Sequence, residues 1–255
     1  MQAKRVPAEE FPRSYTVIHF PDNLTLIGQT VYVESDYTGQ RSAFFTHNFL
    51  VPRQENPPFS PDILSKMIFL TDTDWNELPE LDTLPFHEND PNDEKADQSG
   101  PLPFDENRLM QLLYVILDAV NGAIKVYVIL PGLDWTIPML MWIYSQLPEP
   151  AAKALGFTTY AREPVNLKYL HLIFMDKGTI PPGDAIIERD YVFDFEAGYF
   201  SKNLPKVTEP LLLERIDNFE LNNFELNEEE PDKPVLAKRG FIATLIEEIK
   251  FRLDL

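Results

Sequence analysis

The residues most able to do chemistry are four histidines, His19, His47, His87 and His171, and a surplus of carboxylates. None of the histidines stands in an HExxH or comparable spacing, so no helix face is set to offer two imidazoles to one metal. His87-Glu88 with Asp90 is a loose group of cation-binding types. The run Asp-Pro-Asn-Asp-Glu does not space its oxygens as an EF-hand loop does, and no metal site is assigned. His47 is the most interesting single residue. It follows Phe44-Phe45-Thr46 and precedes Asn48-Phe49; on a strand, Arg41, Ala43, Phe45, His47 and Phe49 share one face. A histidine among aromatics ordinarily makes a structural hydrogen bond, and catalysis would require a base or nucleophile that the sequence does not single out. Asp134, Asp176, Glu188, Asp190, Asp194 and Glu196 offer no means of choosing an acid–base pair. Asp190, Asp194 and Glu196 read as surface charge. The patterns GxGxxG, GxxxxGK[ST] and GxSxG do not occur, so the chain is not itself a P-loop GTPase and calls for no cofactor. With no cysteine, thiol catalysis and thiolate metal sites are excluded, and a reducing, cytoplasmic compartment is expected.

The elements that would position these residues read as β first. Ser14 to Phe20 is a strand, Pro21-Asp22-Asn23 a turn, and Leu24 to Glu34 a second strand, expected to bulge or bend at Gly28. Arg41 to Val51 is a third, closed by Pro52. Pro61 to Phe69 is a short helix with Ser60 as N-cap. Asp105 caps a helix over Arg108 to Val120 that is apolar nearly all round and therefore buried. Asn121-Gly122 ends it in a left-handed turn. Ala123 to Leu130 suits a central strand. Asp134 or Thr136 then caps a helix to Leu147, with Pro138 in its first turn and Pro148 and Pro150 beyond it. Phe157 to Ala161, Lys168 to Met175 and Ile186 to Phe195 are strands. The fold class is α/β, a mixed sheet with packed helices, and a Rossmann layout is disfavoured because no Gly-rich turn follows a strand.

Charge is unevenly distributed. Of a net -19, the segment Asp72 to Glu106 supplies -11, from twelve acidic residues and one lysine, Lys95. It reads as a flexible acidic insertion, too polar to offset the entropy of ordering. Such a surface disfavours nucleic acid and anionic membranes as partners, and no apolar run reaches the roughly 20 residues that span a bilayer. The division expected is an α/β core over 1–200, with the insertion at 72–106, and a helical extension over 201–255. The extension carries a short tandem repeat, NFELN at 218–222 and again at 223–227. It ends in an amphipathic helix, Phe241 to Leu253, whose Phe241, Leu245 and Ile249 share an apolar face for the core, a partner or a second copy.

Tyr32, Asp36, Gly39, Arg41, Phe44, Phe45 and His47 occur in an order that resembles the N-terminal domains of bacterial GTPase-associated proteins, and the strand ending at Pro52 follows. Trp135 to Leu155, then Gly156 to Tyr160 and Arg162-Glu163-Pro164, resemble a second region of that family. Ser42-Ala43 departs from the Gly-Asn-like pair of the pattern. The resemblance implies a truncated or standalone member acting as a non-enzymatic adaptor or regulator beside a GTPase in a bacterial conflict or defence system. Tyr32, Asp36, Gly39, Arg41, Phe45 and His47 would be its partner-binding motif. Two other functions compete: a hydrolase using His47 with acidic residues, and a subunit of a larger assembly docked through the C-terminal helix.

Overall fold

The computed structural model describes residues 11–33, 43–52, 59–69, 102–122, 124–180 and 185–221. Three antiparallel strands open it: β1 (Ser14–His19), β2 (Leu24–Val33) and β3 (Ala43–Pro52). The β1–β2 hairpin closes through Pro21-Asp22-Asn23. Asn23 adopts φ 63°, a left-handed conformation that asparagine tolerates, and the Phe20 N–H donates to the Leu24 carbonyl at 2.8 Å. The expected bulge at Gly28 is not there. Gly28 pairs in register with Thr16 on one side and Asn48 on the other. Its missing side chain makes room instead, because a Cβ at Gly28 would strike the Asn48 carboxamide.

The helical stretch after β3 is shorter than expected. Only α1 (Ile63–Lys66) turns, with Asp62 rather than Ser60 at its N-cap. Then α2 (Glu106–Val120) begins where Asp105 predicts, the carboxylate accepting the Arg108 N–H at 2.9 Å. It ends on Asn121 at φ -94°, so no left-handed residue stops it. After β4 (Val126–Ile129), a 3-10 turn at Leu133–Trp135 leads into α3 (Thr136–Gln146). Trp135 occupies the α3 N-cap and makes no side-chain capping bond, so neither Asp134 nor Thr136 serves as its cap. Next come α4 (Glu149–Ala154), β5 (Phe157–Ala161) and β6 (Leu172–Met175). The expected long strand over Ile186 to Phe195 divides into α5 (Ala185–Arg189) and β7 (Tyr191–Asp194). The reason is topological. β7 lies parallel to β4, which separates it from β6, and a parallel return needs a crossover that α5 supplies. β8 (Tyr199–Phe200) and α6 (Glu209–Asp217) follow.

The strands form one mixed sheet in the order β3-β2-β1-β5-β6-β4-β7-β8. Its antiparallel half joins its parallel half where β1 meets β5, through Thr16↔Thr158 and Val17↔Phe157. Hydroxyls reinforce the seam: Thr16 Oγ1 donates to Thr158 Oγ1 at 3.0 Å, and Ser14 Oγ donates to the Tyr160 carbonyl at 2.9 Å. Alternation along the strands divides the core. Val17, Ile27, Phe49, Val126, Val128 and Phe193 meet α1, α2, α3 and α4 on one face. Ile18, Leu26, Tyr127, Ile129 and Ile173 face the other way, covered by Val165, Leu167 and Leu170 of the β5–β6 connection. Gly156 lets that connection approach, since a Cβ there would collide with the Tyr169 carbonyl.

Candidate functional site

The parallel strands β5, β6, β4 and β7 all end at one edge of the sheet. β1 runs antiparallel to β5, so β1 starts at this edge, β2 ends there and β3 starts there. Open α/β sheets bind ligands outside the carboxyl ends of their strands, which makes this edge the place to look. Two cavities open on it. The first, of about 270 Å³, lies between the ends of β4 and β6, walled by Val128, Leu130, Gly132, Thr136, Phe174 and Asp176. The second, of about 340 Å³, lies beyond β5, walled by Phe11, Thr30, Phe44, Tyr160, Arg162 and Glu163.

One hydrogen bond links the two walls. The Tyr160 hydroxyl donates to Asp176 Oδ2 at 3.2 Å, while Asp176 Oδ1 accepts the Lys177 N–H at 2.9 Å. Burial, and then the Asp176 charge, push the Tyr160 hydroxyl up to about 12, so it is a neutral donor at physiological pH. The mouth of the second cavity is aromatic. Phe11 stacks on Tyr32 with centroids 4.6 Å apart, and Phe44 meets both rings edge-on at 5.5 and 5.6 Å. The Arg162 guanidinium lies 4.9 Å from the Phe11 centroid, a cation–π contact.

The described members of the expected motif divide between two faces. Tyr32 pairs with Phe44 and joins the aromatic mouth. Phe45 and His47 pair with Val31 and Gln29 and point toward the helices. His47 packs on Phe49 with centroids 4.5 Å apart and on Phe69 at 6.1 Å, and burial lowers its basicity. It lines neither cavity. Asp36, Gly39 and Arg41, like Phe241, Leu245 and Ile249, lie outside the described residues, as does most of the acidic insertion. Among the described residues no group of three or more His, Asp or Glu side chains is placed to hold a metal. Also among them, no helix is long and apolar enough to cross a membrane.

A buried polar network stands at the opposite edge of the sheet, and the sequence did not reveal it. Asp190 is wholly buried rather than a surface charge. It accepts the Lys125 backbone N–H at 3.1 Å and the Arg189 guanidinium at 2.6 Å. The Lys125 ammonium is buried too and donates to the Leu167 and Leu170 carbonyls, each at 2.5 Å. Burial brings it down to about 8, against the pull of Asp190. His171 accepts the Gly156 N–H at 3.0 Å on Nδ1, and burial holds it at about 3, hence neutral. Each group has fixed backbone partners, so this network clamps the β5–β6 connection onto the sheet. A one-dimensional reading sees only isolated charges at these positions. Asp194 accepts the Ala197 N–H at 2.7 Å and closes the turn to β8.

The fold and edge therefore define a mixed α/β protein whose sheet edge presents aromatic rings, the Arg162 guanidinium and the carboxylates of Glu163 and Asp176. Two family models match it: GTPase-associated protein 1, N-terminal domain type 2, over residues 2–84, and GTPase-associated protein 1, middle domain, over residues 94–197. Together they span most of the chain, and the chain belongs to the GTPase-associated protein 1 family. No curated protein matches it. The N-terminal match holds β1, β2 and β3 and the middle match holds β4 to β7, so the β1–β5 seam joins the two into one sheet.

Proposed function

We propose that this chain is a non-enzymatic adaptor or regulatory module that works beside a GTPase in a bacterial conflict or defence system, in the cytoplasm. Family membership supports the GTPase connection. The observation that carries the module reading is the aromatic–cation cluster of Phe11, Tyr32, Phe44 and Arg162 at the mouth of the second cavity. Aromatic and arginine side chains of this kind dominate protein–protein hot spots. Tyr32, Asp36, Gly39, Arg41, Phe45 and His47 remain the motif proposed for partner binding. Tyr32 would touch the partner directly, while Phe45 and His47 would hold β3 in place from the helical face. The module would comprise residues 1–200, with 201–255 as a helical extension that offers Phe241, Leu245 and Ile249 as a second contact. The hydrolase reading required His47 to face two carboxylates across a cleft, and its described ring neighbours, Phe49 and Phe69, do not favour it.

The test is affinity capture of the tagged full chain from its native host, with mass spectrometry of what co-purifies. A GTPase should be recovered with the wild type and depleted with Phe11→Ala and Arg162→Ala. Recovery of no GTPase, or undiminished recovery with both variants, would sink the proposal.

A further inference from the structure

The first cavity, between the ends of β4 and β6, stands where the connections of the sheet part. β4 and β6 are parallel neighbours. The chain leaving β4 turns into α3, whose Met139, Leu140 and Ile143 pack on the helical face. The chain leaving β6 departs toward the other face, where its Ile180 packs. Adjacent strands whose exits diverge leave a crevice between them, and open α/β sheets hold small ligands in such crevices. The partner-binding reading rests on the second cavity and leaves this one without a role.

Its polar groups are few. Thr136, the first residue of α3, forms part of the wall and is only 4% exposed. Its hydroxyl makes no hydrogen bond among the described residues. A buried hydroxyl without a partner is costly, so one that lines a cavity points to a ligand atom. On the β6 side, the two oxygens of Asp176 each accept one hydrogen bond, from the Tyr160 hydroxyl and from the Lys177 N–H. These two bonds fix the carboxylate. A carboxylate offers about four acceptor sites, so each oxygen keeps room for another donor. Val128, Leu130 and Phe174 make the rest of the wall apolar.

Two acceptors side by side match two donors side by side, as in the hydroxyls of a vicinal diol. The apolar wall suits the C–H face of a sugar or a flat base. A phosphate is disfavoured. The Asp134 carboxylate lies against Gly132 in the cavity wall, so the start of α3 already has its negative charge. The volume of about 270 Å³ suits one nucleoside and is too small for a dinucleotide.

We propose that this cavity binds a neutral ligand with a vicinal diol, a pentose or a ribonucleoside. Asp176 accepts the two diol hydroxyls, and the Thr136 hydroxyl bonds a further polar atom of the ligand.

The test is calorimetric titration of the full chain with ribose, adenosine, guanosine, cytidine and uridine. Binding of ribose alone would assign the site to a free pentose, and tighter binding of a nucleoside would assign it to the nucleoside. The 2′-deoxy form of the ligand that binds best should bind about tenfold more weakly or worse, the loss expected for one hydrogen bond to a charged group. Asp176→Asn and Thr136→Val should each weaken binding by about tenfold or more. Tyr160→Phe keeps the Asp176 carboxylate and should stay within a few-fold of the wild type. Melting of the unliganded variants separates a ligand group from a structural one. Thr136→Val should melt no lower than the wild type, because its hydroxyl has no partner within the fold to lose. No binding of any of the five at about 10 mM would overturn the proposal. So would a 2′-deoxynucleoside that binds as well as its ribonucleoside, a 5′-monophosphate that binds more tightly than its nucleoside, or a lowered melting temperature for Thr136→Val.

Discussion

Replacing Lys125 by methionine tests how the β5–β6 connection is held down. The wild-type amine makes two short hydrogen bonds, to the Leu167 and Leu170 carbonyls, and a longer one of 3.5 Å to the Lys168 carbonyl. Hydrogen bonds from a charged donor contribute about 1.5–3 kcal/mol each. Against that stands the cost of burying the ammonium. The fall from 10.5 to about 8 amounts to ~3 kcal/mol, at about 1.4 kcal/mol per pKa unit. The two nearly offset, and Lys125→Met at neutral pH should destabilise by about 1–3 kcal/mol, the cost of leaving buried carbonyls unpaired. The pH dependence is the sharper test. Because the folded amine is less basic than the unfolded one, the unfolded chain holds the extra proton between pH 8 and 10.5. Wild-type stability therefore gains from Lys125 as pH rises through that window, and loses the gain as pH falls back through 8. A neutral amine still carries two N–H donors for the same carbonyls. Urea denaturation of both proteins at several pH values across this window reads the effect, since other titrating groups cancel in the difference. The gap between wild type and variant should widen toward high pH by up to ~3 kcal/mol. Parallel stability profiles, or a gap that narrows with rising pH, would refute a buried, desolvated ammonium at this position.

Gly156→Ala should cost about 3 kcal/mol or more in thermal or chemical unfolding, because its Cβ meets the Tyr169 carbonyl, backbone that cannot rotate away. Gly28→Ala should cost less, because what it displaces is the Asn48 carboxamide, a side chain that can swing aside. Asp105→Ala should remove about 1 kcal/mol through the lost cap of α2, measured as a lowered melting temperature, with Asp105→Asn largely restoring it. Tyr160→Phe removes the hydroxyl that joins the walls of the two cavities; it should lower stability by about 1 kcal/mol and leave unfolding cooperative.

Much of the local structure was legible in the residues themselves. The strands over Ser14 to Phe20 and Phe157 to Ala161, the Asp105 cap and the buried α2 follow from β-branched runs, a carboxylate before a helix and an all-round apolar pattern. These are short-range preferences, and the chain states them locally. The family motif was legible as an order of residue types. The tertiary structure decided how that motif is divided, because the β2–β3 register sends Tyr32 to one face with Phe44 and sends Phe45 and His47 to the other. It also decided that Ile186 starts no strand, since the parallel pairing of β7 with β4 demanded a crossover. Asp190 shows the limit most plainly. In sequence it is one more acid in an acidic chain. In the fold it is fully buried, because the Lys125 N–H and the Arg189 guanidinium converge on it, and a residue's solvation depends on neighbours that lie far away along the chain.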